Sequence, residues 1–140
     1  MAKKILLEVV TPDKLLLSKE VDVVVATSVD GEFAVLAGHV PFLASLDIGE
    51  MRFKVDGETD YAAIAGGFAE VTGEKVTILA EAAELAREID IDRAQRARER
   101  AEKRLAQTKA EQLEYARHEA ALKRAMLRIR VAEKSRGANA

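Results

Sequence analysis

The residues of this chain that could carry proton-transfer or metal chemistry are two histidines, His39 and His118. An imidazole can act as a general base or a metal ligand, but no carboxylate or second histidine stands beside His39. His118 follows Glu114 by four residues, a spacing that brings the two side chains together on one helix face. The chain has no cysteine, no glycine-rich phosphate loop before a helix and no Ser/His/Asp set. We therefore predict a protein that is not an enzyme, without catalytic residues or a metal site.

Charge divides the chain into two parts. Residues 1–88 contain 8 Lys/Arg and 16 Asp/Glu, a net charge of −8, and residues 89–140 contain 14 Lys/Arg and 8 Asp/Glu, a net charge of +6. This distribution indicates two differently built domains, one acidic and one basic. No stretch has the apolar length that a signal peptide or a membrane span requires. We expect a soluble, cytosolic protein.

The acidic part has the pattern of a β protein. Short apolar or alternating runs, such as Ile5–Val10, are separated by turn signals. Asp56-Gly57, between two alternating runs, is among the strongest hairpin signals. Many short strands without a crossover helix favour a sandwich or a barrel. Its core is predicted to contain the valines together with Phe33, Phe53 and Phe68.

Beyond Ala80 the sequence is rich in Ala, Glu, Arg and Leu, all strong helix formers, and no Gly or Pro occurs before Gly137. Asp90 or Asp92 is suited to cap a first helix. A bend at residues 107–109 and a second helix from about residue 111 to 131 complete an antiparallel hairpin. Two apolar stripes recur at helical spacing: Ala94, Ala97, Ala101 and Leu105, then Leu122, Ala125, Met126 and Ile129. Because both stripes are rich in alanine, we predict loose packing.

The second helix is also strongly basic. Fourteen of its residues include six Lys or Arg and one acid, Glu133. The six are Lys123, Arg124, Arg128, Arg130, Lys134 and Arg136. Such a face suits an acidic partner, and nucleic acid is the generic candidate. A β-sandwich adaptor whose basic hairpin binds nucleic acid is thus an alternative function, although the acidic first domain and the scarcity of aromatic residues on the helices count against it.

Residues 28–51, SVDGEFAVLAGHVPFLASLDIGEM, are broken into short runs by glycines and Pro41, a pattern that predicts strand–turn–strand structure. This stretch resembles the signature G-E-x-G-x-L-P-G-H-A-P-L-L of the epsilon subunit of rotary F-type ATP synthases. The matching residues are Gly31, Glu32, Leu36, Gly38, His39 and Pro41. Departures from the signature are Ala34, Ala37, Val40 and Phe42. Residues 65–68, AGGF, also match that family.

The resemblance implies an all-β N-terminal sandwich over residues 1–86 and a two-helix hairpin over residues 87–140. In that family the sandwich touches the gamma subunit and the c-ring of the central stalk, and the helices can extend toward the alpha and beta catalytic subunits. The chain would be a non-catalytic subunit of a proton- or sodium-translocating synthase that couples the stalk to the c-ring and inhibits ATP hydrolysis. It would be peripheral, on the cytoplasmic side of the cell inner membrane, and held there through the complex only.

The same resemblance assigns interface roles within the sandwich. Glu32 would meet the polar loops of the c-ring, and His39 would contact gamma. Alternatively, Glu32 is a solvated turn carboxylate, and His39 is a corner histidine that satisfies local backbone groups.

On the hairpin, residues 89–94 fit the pattern I/L-D-x-x-R-A, which some bacterial epsilon subunits use with two second-helix arginines to bind ATP. The corresponding residues are Asp90, Arg93, Arg124 and Arg128. Alternatively, Asp90 is an N-cap and the arginines are solvated. Regulatory ATP is the one cofactor that the resemblance suggests. The inhibitory basic face would consist of Lys123, Arg124, Arg128 and Arg130.

Overall fold

The computed structural model describes residues 3–138, with side chains through Lys134. The chain divides into two compact units, Met1–Leu85 and Ala86–Ala140. Within the described residues, the first unit is built of β-strands, and the second consists of a short 3₁₀ turn and α-helices. The predicted class, a β-sandwich followed by a helical hairpin, is confirmed.

The strands of the first unit follow one another through short turns. The first four are β1 (Ile5–Val10), β2 (Leu15–Val21), β3 (Val23–Ser28) and β4 (Gly31–Val35). The second four are β5 (Phe42–Val55), β6 (Glu58–Val71), β7 (Lys75–Ala80) and β8 (Ala83–Leu85). Asp56 and Gly57 join β5 to β6 with positive φ values of 50° and 87°, as a two-residue hairpin turn requires. The hairpin prediction at this turn is therefore confirmed.

Two long strands form the sandwich by passing through both of its layers. The hydrogen-bonded order is β2-β1-β7-β6-β5-β3-β4, with β8 also paired to β6. β5 and β6 pair continuously from Val55↔Glu58 to Ile48↔Ala65 and again from Leu46↔Gly67 to Phe42↔Val71. The chain bends between these halves at Gly66 and Gly67, whose φ values are 79° and 118°. A Cβ atom on Gly67 would collide with the backbone of Leu79, so glycine is needed at this bend.

The core lies between the two layers, and alternate residues of several strands point into it. Ile5, Leu7 and Val9 of β1 are fully buried, and so are Val76 and Ile78 of β7. This alternation is typical of strands with one face on a core. Phe53 is also buried, as predicted, and Phe33 packs at the edge of the core.

Phe68 is not in the core, contrary to the prediction. Its side chain is 53% exposed, whereas Ala69 and Val71 are buried. Because side chains alternate along a strand, the burial of Ala69 and Val71 turns Phe68 to the outer face. The bend at Gly66 and Gly67 decides which residues of this segment face the core, and the alternation in the sequence does not show which set that is.

The second unit begins with the 3₁₀ turn Ala86–Glu88 and continues with α1 (Ile91–Gln107) and α2 (Leu113–Ala138). The cap of α1 is Asp90, and α1 ends at Gln107, next to the predicted bend. The second helix extends beyond the predicted residue 131. Among the described residues, no helix is long and apolar enough to cross a membrane.

The two helices pack together, and the residues that they bury match the predicted stripes in part: on α2, Ala125 and Ile129 of the predicted stripe are buried. In α1, Ala94 and Ala101 are buried, as predicted. In α2, Met126 is 44% exposed and its neighbour Leu127 is buried. The buried residues of α2 are Ala125, Leu127, Ile129, Val131 and Ala132. Ala125, Ile129 and Ala132 share one face of the helix, and Leu127 and Val131 share another, so this helix buries more large aliphatic surface than an alanine stripe provides.

Candidate interaction sites

Glu32 lies in strand β4, opposite Thr27 of β3, and is held by an arginine from β5. Arg52 donates from its two terminal nitrogens to the two carboxylate oxygens of Glu32, over 3.0 Å and 3.4 Å. The same guanidinium is 3.5 Å from a carboxylate oxygen of Glu50. Glu32 thus lies in a strand and is part of an ion-pair cluster, while half of its side chain stays exposed to solvent. Its role at an interface stays a prediction.

The Arg52 cluster joins three strands. Arg52 pairs with Val25 of β3 across the sheet, and Thr27 of β3 donates through its hydroxyl to the carbonyl of Glu50 over 3.0 Å. The hydrogen bond with Glu32 and the negative charges of Glu32 and Glu50 hold the pKa of Arg52 above its ordinary value, against desolvation, which lowers it. The Glu32 side chain remains 52% exposed, whereas that of Glu50 is 11% exposed.

His39 lies at the corner between β4 and β5. Its Nδ1 is 2.7 Å from the carbonyl oxygen of Val40, so this nitrogen carries the hydrogen and donates it. The His39 ring contacts Phe42, with ring centroids 5.1 Å apart, and Phe42 meets Phe33 edge to face at 5.3 Å. These contacts match the interpretation of a corner histidine that satisfies the local backbone. They also orient its other ring nitrogen, Nε2, away from that carbonyl.

An apolar row on the outer face of the sandwich was not predicted. Phe68 of β6 pairs with Leu79 of β7, Leu79 pairs with Val10 of β1, and Val10 pairs with Leu15 of β2. Phe68, Leu79 and Leu15 are 53%, 47% and 54% exposed. Leu43 of β5, 68% exposed, lies on the same face two residues from the partner of Phe68. We call these five residues the outer apolar row. The sequence indicates this row only in that Phe68 and Leu79 each stand next to residues that face the core, and side chains alternate between the two faces of a strand.

The structure gives Asp90 a capping role. Its carboxylate accepts a hydrogen bond from the backbone N–H of Arg93 over 3.1 Å, a contact that does not involve the Arg93 guanidinium. Arg124 and Arg128 lie one turn apart on α2, the first exposed and the second half-buried. Because the 3₁₀ turn that precedes Asp90 packs against α2, both parts of the predicted site belong to one compact unit.

The residues predicted to form the basic face of α2 differ in exposure. Lys123, Arg124, Arg130 and Lys134 are exposed, and Arg128 is half-buried. Lys123, Arg128 and Lys134 already interact with other groups of the chain. Arg136 belongs to the predicted face, but its side chain lies outside the described residues.

In the described part of the chain, no group of three His, Asp or Glu residues could hold a metal ion.

Comparison with known proteins places both units in one family. The description "ATP synthase, Delta/Epsilon chain, beta-sandwich domain" matches residues 4–86, and "ATP synthase, Delta/Epsilon chain, long alpha-helix domain" matches residues 87–133. The ATP synthase epsilon chain of Nitratidesulfovibrio vulgaris (strain DP4) is 55% identical over 94% of this chain and 97% of its own length. That of Syntrophobacter fumaroxidans is 56% identical over 96% of this chain and 100% of its own length.

Solved structures agree with this family. A chain in the Euglena gracilis mitochondrial ATP synthase, OSCP/F1/c-ring, is similar with a TM-score of 0.76 and 25% identity, over 96% of this chain and 82% of that one. A chain in the central stalk/c-ring structure of the Tetrahymena thermophila mitochondrial ATP synthase shares the fold, with a TM-score of 0.56 and 14% identity. The chain therefore belongs to the delta/epsilon family of ATP synthase chains and is an epsilon-type, non-catalytic subunit of an F-type ATP synthase.

Proposed function

We propose that the sandwich, residues 1–86, attaches this subunit to the gamma subunit and the c-ring, and that residues 87–140 regulate ATP hydrolysis. The observation that supports attachment most directly is the outer apolar row. Contiguous exposed apolar surface of this kind marks interaction sites, and full burial of a Leu or Phe side chain stabilises a complex by about 1.5–3 kcal/mol. Similarity to a chain in an OSCP/F1/c-ring assembly supports the same partners.

Glu32 and His39 provide the polar part of this attachment. The proposed contact of Glu32 is with the c-ring, and the proposed contact of His39 is with gamma. Half of the Glu32 side chain is exposed, so a donor on a partner can reach its carboxylate. The subunit is then peripheral on the cytoplasmic side of the cell inner membrane, through the complex alone. Because the named relatives are ATP synthase chains, we do not propose the nucleic-acid adaptor.

Regulation by the helices depends on charge. Lys123, Arg124, Arg128 and Arg130 would contact acidic groups of the alpha and beta subunits when α2 extends, and would thereby inhibit hydrolysis. Individual exposed ion pairs contribute at most about 1 kcal/mol, but several formed together add up. The large aliphatic residues buried by α2 oppose opening, so extension requires more compensating contacts than an alanine-lined hairpin would.

The compact hairpin also provides a regulatory ATP site in this proposal. Asp90, Arg93, Arg124 and Arg128 are its residues, and the arginines would hold the phosphates by charge-assisted hydrogen bonds. Support comes from the position of all four residues in one compact unit and from the exposure of Arg93 and Arg124. ATP bound here would favour the compact hairpin over the extended one, because only the compact form brings the two helices together.

Affinity purification of the full chain from its own organism tests the attachment. Gamma and c subunits should co-purify with the wild-type chain, and their yield should fall strongly with the Phe68→Thr/Leu79→Thr variant. Threonine keeps the strand propensity of both positions. The matched control is Leu113→Gln, which removes a side chain that is 93% exposed on α2. Equal recovery of gamma with the wild-type and the threonine variant would contradict the role of the outer apolar row.

A further inference from the structure

We propose that Arg52 is a positioning residue that holds the Glu32 carboxylate in the orientation in which it meets its partner. This inference rests on the proposed contact of Glu32. Arg52 grips both oxygens of Glu32 through two nitrogens, over 3.0 Å and 3.4 Å. A planar fork of this kind fixes the carboxylate in direction as well as position.

Glu50 holds the arginine in turn. It lies two residues from Arg52 on β5, its carboxylate is 3.5 Å from the same guanidinium, and its side chain is only 11% exposed. The backbone of Glu50 is tied to β3 by the hydroxyl of Thr27. Glu50, which is mostly covered by the protein, therefore holds Arg52, and Arg52 holds Glu32, the most exposed of the three side chains.

This arrangement reduces the entropy that Glu32 loses on binding. Glutamate is among the side chains with the most rotamer freedom, and Arg52 restricts that freedom before a partner arrives. An already ordered side chain binds more tightly, because immobilising a flexible one opposes association. Since 52% of the Glu32 side chain is exposed, a partner's donor reaches the carboxylate while Arg52 still holds it.

The test is a double-mutant cycle on the affinity of the full-length subunit for ATP synthase from which this subunit has been removed. The variants are Arg52→Gln, Glu32→Gln and their combination, all at one salt concentration. Loss of Arg52 should weaken binding about fivefold when Glu32 is present, and by less than about twofold when Glu32 is already Gln. Changes in long-range charge attraction are common to both backgrounds and cancel in the cycle. Equal effects of Arg52→Gln in both backgrounds, or tighter binding, would overturn the proposal.

Arg52→Lys separates orientation from charge. Lysine keeps the positive charge but lacks the two-nitrogen fork, so it should bind nearly as weakly as Arg52→Gln. Full affinity with lysine would mean that charge alone suffices and would overturn the positioning role.

Loss of Arg52 also removes an ion-pair contact of Glu50, whose side chain is only 11% exposed, and this loss lowers stability. The cycle is therefore repeated in a Glu50→Gln background, where position 50 carries no charge, and the same non-additivity is expected. If Glu32→Gln alone leaves affinity unchanged, the Glu32 contact and this inference both fail. If Glu32→Gln weakens binding but the cycle is additive, only the positioning role fails.

Discussion

The carboxylate of Asp90 accepts a hydrogen bond from the backbone N–H of Arg93 over 3.1 Å, and this bond begins helix α1. Asp90 has the extended backbone of an N-cap, with φ −82° and ψ 104°, and its carbonyl accepts the first helical bond, from Ala94 over 3.0 Å. One residue of the proposed ATP site thus has a structural role that requires no nucleotide.

Asp90→Ala and Asp90→Asn test the capping role, and calorimetry tests the ATP site. Asparagine caps helices as well as aspartate does, whereas alanine costs about 1 kcal/mol of stability. We therefore expect a lower melting temperature for Asp90→Ala alone. In calorimetry, ATP should release heat on binding the wild-type subunit and the Asp92→Asn control, and binding should be lost with Arg124→Gln. No heat from the wild type at millimolar ATP would reduce Asp90 to a cap.

The sandwich should fold without the helices. Its core residues, from Ile5 to Leu85, form one cluster within the first unit, and burial of apolar surface is the main stabilising term of a small domain. Residues 1–86 alone should give a β-type circular dichroism spectrum and a cooperative thermal transition, and should still bind gamma. A truncated protein that is unfolded under native conditions would contradict the division into independent domains.

His39 should affect assembly and leave stability nearly unchanged. Replacement by Ala removes a half-buried side chain whose hydrogen bond is to the neighbouring backbone carbonyl of Val40. Such surface substitutions usually change the free energy of unfolding by no more than about 0.5 kcal/mol. Because Nδ1 is occupied by the Val40 carbonyl, Nε2 is the nitrogen available to gamma. Glutamine places a polar group near Nε2 and asparagine near Nδ1, so His39→Gln should retain more affinity for the depleted synthase than His39→Asn. The reverse order would show that gamma does not use Nε2.

The basic face of α2 should inhibit hydrolysis in a salt-dependent way. Replacement of Lys123, Arg124, Arg128 and Arg130 by Ala should raise the ATPase rate of the assembled enzyme at low salt. The difference from wild type should shrink at high salt, because the Debye length falls to about 3 Å at 1 M.

The control for this experiment removes the same charge from α1, which contacts α2 within the same unit. Its four substitutions to Ala are at exposed positions: Arg96, Arg100, Lys103 and Arg104. This control should leave the ATPase rate close to that of the wild type. Identical rates for both quadruple variants and the wild type at every salt concentration would exclude inhibition through the basic face.

The features that depend on local interactions could be predicted from the sequence. The Asp56-Gly57 turn, the Asp90 cap and the end of α1 near residue 107 involve groups within a few residues of each other. Their energies are set by backbone φ preferences and by side-chain oxygens that reach nearby N–H groups. The division into a β part and an α part could also be predicted, because composition and periodicity are properties of neighbouring residues.

Contacts between residues far apart in the sequence could not be predicted in this way. Alternation along β6 and β7 defines two faces but does not say which face the other layer covers, so Phe68 was wrongly assigned to the core and the outer apolar row was missed. On α2, Met126 and Leu127 have similar polarity, and their exposure depends on which rows meet α1 and the preceding turn. Arg52 and Glu32 are 20 residues apart. They meet because β3 pairs with both β4 and β5, with Thr27 opposite Glu32 and Val25 opposite Arg52, and that pairing depends on the packing of the whole sandwich.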